Sequence, residues 1–148
     1  MAGDVFADTN VLVYSRDTAE PEKHRQARAW MTHLWTTRQG RLSYQVLQEF
    51  YVTVTEKLDP GLDRATARRD VRSFASWRPV AIDRSVLEAA WALQDRYRLS
   101  WWDALIVAAA QVAGCAFLLT EDLQDDQRLG AVQVVNPFRT SPERLGGR

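Results

Sequence analysis

Val5-Phe6-Ala7-Asp8-Thr9-Asn10 sets three apolar residues in front of a carboxylate, with two small polar residues after it. The pattern returns far downstream in Phe117-Leu118-Leu119-Thr120-Glu121-Asp122, where a second apolar run ends on a hydroxyl and two acids. Short continuous apolar runs suit strands buried on both faces, as in a parallel sheet. In open α/β sheets ligands gather beyond the carboxyl ends of the strands, where side chains from different strands converge. Two strands that each deliver an acid at that end predict a shared metal site.

The stretches between these runs read as helices and further short strands. Pro21 suits the first turn of a helix reaching about Arg38, with Gly40 as its stop. Leu42 and Ser43 are expected to form a second strand. Tyr44 to Leu58 keeps a 3.6-residue period in Val46, Leu47, Phe50, Tyr51, Val54 and Leu58, and Asp59-Pro60-Gly61 ends it. Asp63 is expected to cap an Arg-rich helix over Arg64 to Trp77, Pro79 to Ile82 to form a third strand, and Asp83 to cap a helix running to about Tyr97. Ser100 opens a further helix, Trp101 to Ala113, apolar on nearly every side and so expected at the centre of the fold. Val132 to Val135 supplies another strand after Phe117 to Leu119. Strands alternating with helices predict an α/β fold with a parallel sheet covered on both faces. One domain is expected over residues 1–148, its core at about 4–137, with Thr140 to Arg148 as a frayed tail.

Composition narrows the function. A chain of 148 residues can bury roughly two thirds of its unfolded surface without a disulfide or structural metal. Cys115 has no partner in the sequence and sits in an apolar run, so an inert buried thiol and a reducing compartment are expected. No basic start followed by an apolar segment precedes Asp4, and Leu105 to Val112 is too short to span a bilayer. A soluble cytoplasmic protein without membrane contact is the expectation. The formal net charge of zero argues against a surface-wide nucleic-acid footprint and leaves room only for local patches. Of 19 basic residues only Lys23 and Lys57 are lysine. Arg64, Arg68, Arg69 and Arg72 recur on one helix and suit an RNA backbone, a dimer contact or a solvated stripe.

The acids carry the remaining chemistry. Asp8 ends its strand, a place where aspartate also serves as a turn residue, and Asn10 can steady its carboxylate by a hydrogen bond. Glu49 lies at the edge of the apolar stripe of its helix. Asp103 stands in Ser100-Trp101-Trp102-Asp103, a capping-box-like start, and a helix N-terminus also favours an ionised carboxylate. Asp122 is the acid nearest the end of its strand, while Asp125 and Asp126 follow in the loop. Four converging carboxylates repel one another unless a cation joins them, and hard oxygen donors without nearby His or Cys point to Mg²⁺ or Mn²⁺. His24 and His33 lack partners for a zinc set or a nucleophilic triad, and Gly114 and Gly130 stand alone, without a phosphate-cradling loop. Trp30, Trp35, Trp77 and Trp91 are expected to pack helices on the sheet, whereas the adjacent Trp101 and Trp102 cannot both face the core.

Val5 to Leu12, Leu47-Gln48-Glu49-Phe50-Tyr51, Ser100 to Ile106 and Leu118 to Leu123 together resemble the PIN-domain nucleases, most closely the VapC toxins of bacterial toxin–antitoxin pairs. The resemblance covers residues 4 to about 137. It implies a single PIN-like α/β/α sandwich with a mainly parallel central sheet, and a Mg²⁺-dependent endoribonuclease in which metal-activated water hydrolyses the RNA phosphodiester. It also implies a homodimer and a cognate VapB-like antitoxin that occupies the active-site region. By position, Asp8, Glu49, Asp103 and Asp122 match the family's acidic quartet of metal ligands, and Asn10 and Thr120 its supporting polar residues. Glu121 adjoins Asp122, and the strand-to-loop spacing favours Asp122. Other readings are a noncatalytic PIN-like RNA-binding or regulatory module, and a housekeeping RNA-processing nuclease without an antitoxin.

Overall fold

A computed structural model describes residues 3–146 of the chain. Its sheet is built on β1 (Val5–Ala7), whose three residues are fully buried. β2 (Gly40–Arg41) pairs parallel with one side of β1, and β3 (Phe117–Leu119) parallel with the other. β5 (Val132–Val135) continues beyond β3 in parallel, and the two-residue β4 (Arg128–Leu129) closes that edge antiparallel to β5. The order is β2-β1-β3-β5-β4. Gly130, at φ 64°, turns the chain from β4 into β5, a conformation that costs a glycine little.

Among the described residues seven α-helices flank this sheet: α1 (Thr9–Tyr14), α2 (Pro21–Thr37), α3 (Tyr44–Val52), α4 (Arg64–Ser73), α5 (Arg84–Tyr97), α6 (Trp101–Val112) and α7 (Pro142–Gly146). α3 widens into a π-helical turn over Thr53–Lys57, and α4 tightens into a 3-10 turn over Phe74–Trp77. The fold is therefore the expected mixed α/β arrangement with a mostly parallel sheet. α6 is its central helix, with every residue from Ala104 to Ala110 buried. Among the described residues no helix is long and apolar enough to cross a membrane.

Several expected boundaries move. The second strand lies at Gly40–Arg41 rather than at Leu42 and Ser43. Those two residues instead hold Val80 through Val80 N–H to Leu42 O and Tyr44 N–H to Val80 O, both 3.0 Å. This single parallel bridge is all that forms of the strand expected at Pro79 to Ile82. Its start is constrained, since Arg78 is left-handed at φ 51° and Pro79 has no N–H to donate. Arg38, also left-handed at φ 59°, ends α2 before Gly40 is reached. The expected frayed tail is partly ordered. Trp30 Nε1–H donates to Pro137 O at 3.1 Å and Thr140 O at 3.0 Å, and Leu145 on α7 is buried. A buried indole N–H needs an acceptor, so Trp30 ties the segment after β5 to α2. Gly147 and Arg148 lie outside the described residues. Of the tryptophans expected in the core, Trp30 and Trp77 are buried, whereas Trp35 and Trp91 remain 40 and 49% exposed.

Candidate active site

The chain runs from β1 to β2 on one side of the sheet and returns to β3 on the other side of β1. The carboxyl ends of β1 and β3 therefore flank a topological switch point, the usual ligand crevice of such sheets. Ala7 pairs with Leu119, so the next residues, Asp8 and Thr120, stand side by side; both are buried.

The Thr120 hydroxyl organises what surrounds it. It donates to Asp8 Oδ2 at 2.9 Å and accepts from Asn10 Nδ2 at 3.3 Å and from the Asp122 backbone N–H at 3.0 Å. A hydroxyl has one proton and two acceptor lone pairs. Two of the three neighbours can only donate, so the proton must point at Asp8. The other Asp8 oxygen accepts from Thr9 N–H at 2.6 Å at the start of α1. Asn10 Nδ2 also donates to Asp122 Oδ2 at 3.2 Å, and Thr9 Oγ1 donates to Glu49 Oε1 at 2.9 Å. One short turn after β1 thus holds acids from three separate segments.

Asp103 comes from α6. Its backbone N–H donates to Ser100 Oγ at 3.1 Å, so Ser100 caps the helix as the sequence suggested. The Asp103 side chain lines the same cleft, of about 680 Å³, as Asp8, Asn10, Glu49 and Asp122. Thr120 sits behind this lining and supports it. None of the four quartet acids is paired with a basic side chain among the described residues. Glu121, in contrast, is bound by Lys23 Nζ at 2.6 Å, so of these two adjacent acids Asp122 is the one without a cation.

Burial without a counter-charge raises the Asp8 carboxyl to about 7; the bonds from Thr9 and Thr120 oppose this, and the charges of Asp122 and Glu49 add to it. Asp122 is also raised, first by burial and then by the charges of Asp103 and Glu121, against the hydrogen bond from Asn10. The cleft holds negative charge at an energetic cost, a common feature of functional sites.

The family model of the PIN domain matches residues 5–128, a span that contains all these residues. The chain belongs to the PIN-domain family. Its fold is similar to that of a toxin–antitoxin complex from Klebsiella pneumoniae, at 21% identity over 90% of this chain and 98% of that one, with a TM-score of 0.64. It is also similar to Mycobacterium tuberculosis VapC20, a sarcin–ricin loop cleaving toxin, at 17% identity over 78 and 87% of the two chains and a TM-score of 0.57. A third likeness is to VapBC2 from Rickettsia felis, bound to a DNA fragment from its promoter, at 12% identity over 88 and 96% and a TM-score of 0.58. No curated protein matches the chain by sequence.

Some residues of this PIN domain's cleft gave no sign in the sequence. Gln45 lies one helical turn before Glu49, is 9% exposed, and has neither atom of its side-chain amide hydrogen-bonded. Its spacing from Glu49 was the available signal, since residues four apart share a helix face. Lys57 also lines the cleft. Other candidates fall away from it. Asp125 Oδ1 accepts from Asn136 N–H at 2.8 Å and Asp126 bonds Gln133, so both serve the loop beside β5. His24 Nδ1 bonds Tyr14 O. The α4 arginines do not line the cleft; Arg68 and Arg72 border an apolar groove with Tyr44 and Tyr51. Trp101 stacks on Trp91 with ring centroids 6.4 Å apart, while Trp102 stands 63% exposed at the cleft. Cys115 is buried, and burial pushes its thiol up to about 12, which leaves it unreactive.

Proposed function

We propose that this PIN domain is a metal-dependent endoribonuclease and the toxin of a toxin–antitoxin pair, with Asp8, Glu49, Asp103 and Asp122 as its metal-holding acids. The observation that carries this reading is the switch-point cleft, whose lining includes all four acids, with Asp8, Glu49 and Asp122 held by hydrogen bonds and none of the four paired with a basic side chain among the described residues.

The donor set fits a hard divalent cation. All the candidate ligands are oxygens, burial and then the neighbouring acids raise Asp8 to about 7, and the buried Asn10 Oδ1 has no hydrogen-bond partner. Among the described residues no three acidic, His or Cys side chains close on one point. Mg²⁺ accommodates this, because it keeps several waters and needs only one or two carboxylates from the protein. When bound, the cation supplies Lewis acidity to the scissile phosphate and to the water that attacks it.

The chain's own residues do the positioning. Thr120 and Thr9 N–H fix the Asp8 carboxylate, using two of its roughly four lone-pair sites and leaving the others for the cleft. Asn10 orients Asp122, and Thr9 orients Glu49. Asp103 is set in the first turn of α6, which Ser100 caps, and lines the cleft from that side. No protein nucleophile is required, and Cys115 lies outside the cleft lining.

The likeness to toxin–antitoxin structures supports an antitoxin partner, for which the exposed Trp102 beside the cleft offers apolar contact surface; a homodimer is part of the same proposal. The test is cleavage of a labelled RNA by the purified protein. Activity should vanish in EDTA, return with Mg²⁺ or Mn²⁺, and be lost in Asp8→Asn and Asp103→Asn while both variants keep the wild-type circular dichroism. Full activity in EDTA, or a fully active Asp8→Asn protein, overturns the proposal.

A further inference from the structure

Six acids line the cleft (Asp8, Asp17, Glu49, Asp103, Glu121 and Asp122), and Lys57 is the one basic side chain among its lining residues. A polyanionic substrate is repelled by such a surface unless fixed positive charge meets it at the rim. The arginines of α4 do not supply it, because none of them lines the cleft, and Arg68 and Arg72 border a different groove. Lys23 does not either, since its ammonium is committed to Glu121 at 2.6 Å and lies over the Tyr14 and Phe138 rings. Lys57 is exposed and makes no ion pair or hydrogen bond among the described residues, despite the acids that share its cleft.

Lys57 reaches the cleft through a local change of helical winding. In a regular α-helix each residue turns about 100°, so positions four and eight after Glu49 drift off its face by about 40° and 80°. After Val52, however, the chain takes a π turn, closed by Leu58 N–H to Thr53 O at 3.1 Å, a bond five residues long. The wider turn rotates less per residue and so reduces the drift between Thr53 and Lys57; both line the cleft with Glu49. π turns are rare and recur at functional sites. Here the turn has a definite consequence, since an α-helical continuation would carry the ammonium away from the acids.

We infer that Lys57 is a substrate-binding residue that holds an RNA phosphate at the rim of the acidic cleft, beside the metal-holding quartet. This rests on the nuclease reading above. A lysine at that place attracts a phosphate as a point charge without demanding a particular base, and so contributes affinity rather than sequence choice.

The experiment measures binding of a fluorescein-labelled, mixed-sequence single-stranded RNA across a salt series, in an Asp103→Asn background that leaves the RNA intact. Each phosphate contact to single-stranded nucleic acid contributes about 0.7 to the slope of log K against log salt. Lys57→Gln should lower the slope by about that amount and weaken binding roughly tenfold at low salt, whereas Lys57→Arg should keep both. In cleavage by proteins with Asp103 restored, Lys57→Gln should raise KM and leave kcat near that of the parent. An unchanged slope and KM in Lys57→Gln overturns the inference. So does an equal loss in the Gln and Arg variants with a lowered melting temperature, which marks a packing role. A parent that binds RNA but never cleaves it, with Lys57→Gln still reducing the slope, removes the nuclease and keeps the phosphate contact. A parent that does not bind RNA removes both.

Discussion

At Asp8, two demands are in conflict. Burial at the end of a central strand favours the neutral acid, and Thr120 and Thr9 N–H, both donors, favour the carboxylate. The outcome is a group near 7 rather than near its ordinary 3.8. The linkage sign follows. Between those pH values the folded protein holds a proton that the unfolded chain has released, so stability of the metal-free protein falls as pH rises from about 4 to about 7 and then levels. Each pKa unit is worth about 1.4 kcal/mol, so the loss amounts to a few kcal/mol. Denaturant titrations in EDTA should show that decline in the wild type and its absence in Asp8→Asn, which becomes the more stable protein at pH 8. Saturating Mg²⁺ should restore wild-type stability there, because a ligand bound only to the folded state adds free energy to it. An equal decline in both proteins would assign the pH dependence elsewhere. Thr120 permits a second test at this scale. Thr120→Val keeps the shape but leaves the Asp122 N–H and Asn10 without their acceptor and Asp8 without a donor. A cost of about 1–3 kcal/mol and a large fall in kcat are expected, with Thr120→Ser recovering most of both.

Among the elements, α6 separates structure from chemistry most cleanly. Ser100 Oγ accepts the Asp103 backbone N–H, while the Asp103 carboxylate faces the cleft, so cap and acid are different residues. Ser100→Ala should cost about 1 kcal/mol with turnover near wild type, and Asp103→Asn should do the reverse. Loss of activity in Ser100→Ala at unchanged stability would show that the division is wrong. The same helix shows why much of the fold was legible in the sequence. A run between Ser100 and Gly114 that only Asp103 and Gln111 break has few alternatives to a central helix, and β1, β3 and β5 were equally plain because buried parallel strands are almost wholly apolar. α1 was not legible. Thr9 to Tyr14 is rich in β-branched and aromatic residues of modest helix propensity, and it is helical because Asp8 and Asn10 are bonded into the site. β4 is two residues long and begins with an exposed arginine, so no period reveals it. The acids were legible because a carboxylate at a strand end or beside an apolar stripe is conspicuous. Gln45 and Lys57 were not, one concealed as a polar residue in a buried helix face and the other placed by a π turn that no periodicity announces.

At the scale of the molecule, the chain's formal charge of zero conceals a segregated distribution. Six acids and one lysine line the cleft, while none of the α4 arginines does and Arg68 and Arg72 lie along another groove. A cationic side chain entering this cleft gains what a divalent ion gains there, and arginine can pair bidentately with two carboxylates. On the toxin reading, an antitoxin segment is therefore expected to inhibit by placing an arginine among Asp8, Glu49, Asp103 and Asp122, with Trp102, 63% exposed, receiving its apolar residues. Because arginine and metal compete for the same charge, the concentration of antitoxin needed for half inhibition should rise with Mg²⁺. Changing that arginine to alanine should abolish the Mg²⁺ dependence along with most of the inhibition. Trp102→Ala should weaken inhibition at every Mg²⁺ concentration by a similar factor, since the indole contributes apolar contact and no charge. Sedimentation of the isolated chain should give a dimer. Titration of the antitoxin, sought as the product of a neighbouring gene, into the RNA-cleavage assay at two Mg²⁺ concentrations separates the possibilities. Inhibition that ignores Mg²⁺ excludes competition at the acids, and a strictly monomeric protein whose cleavage is indifferent to that product leaves a PIN nuclease but no toxin.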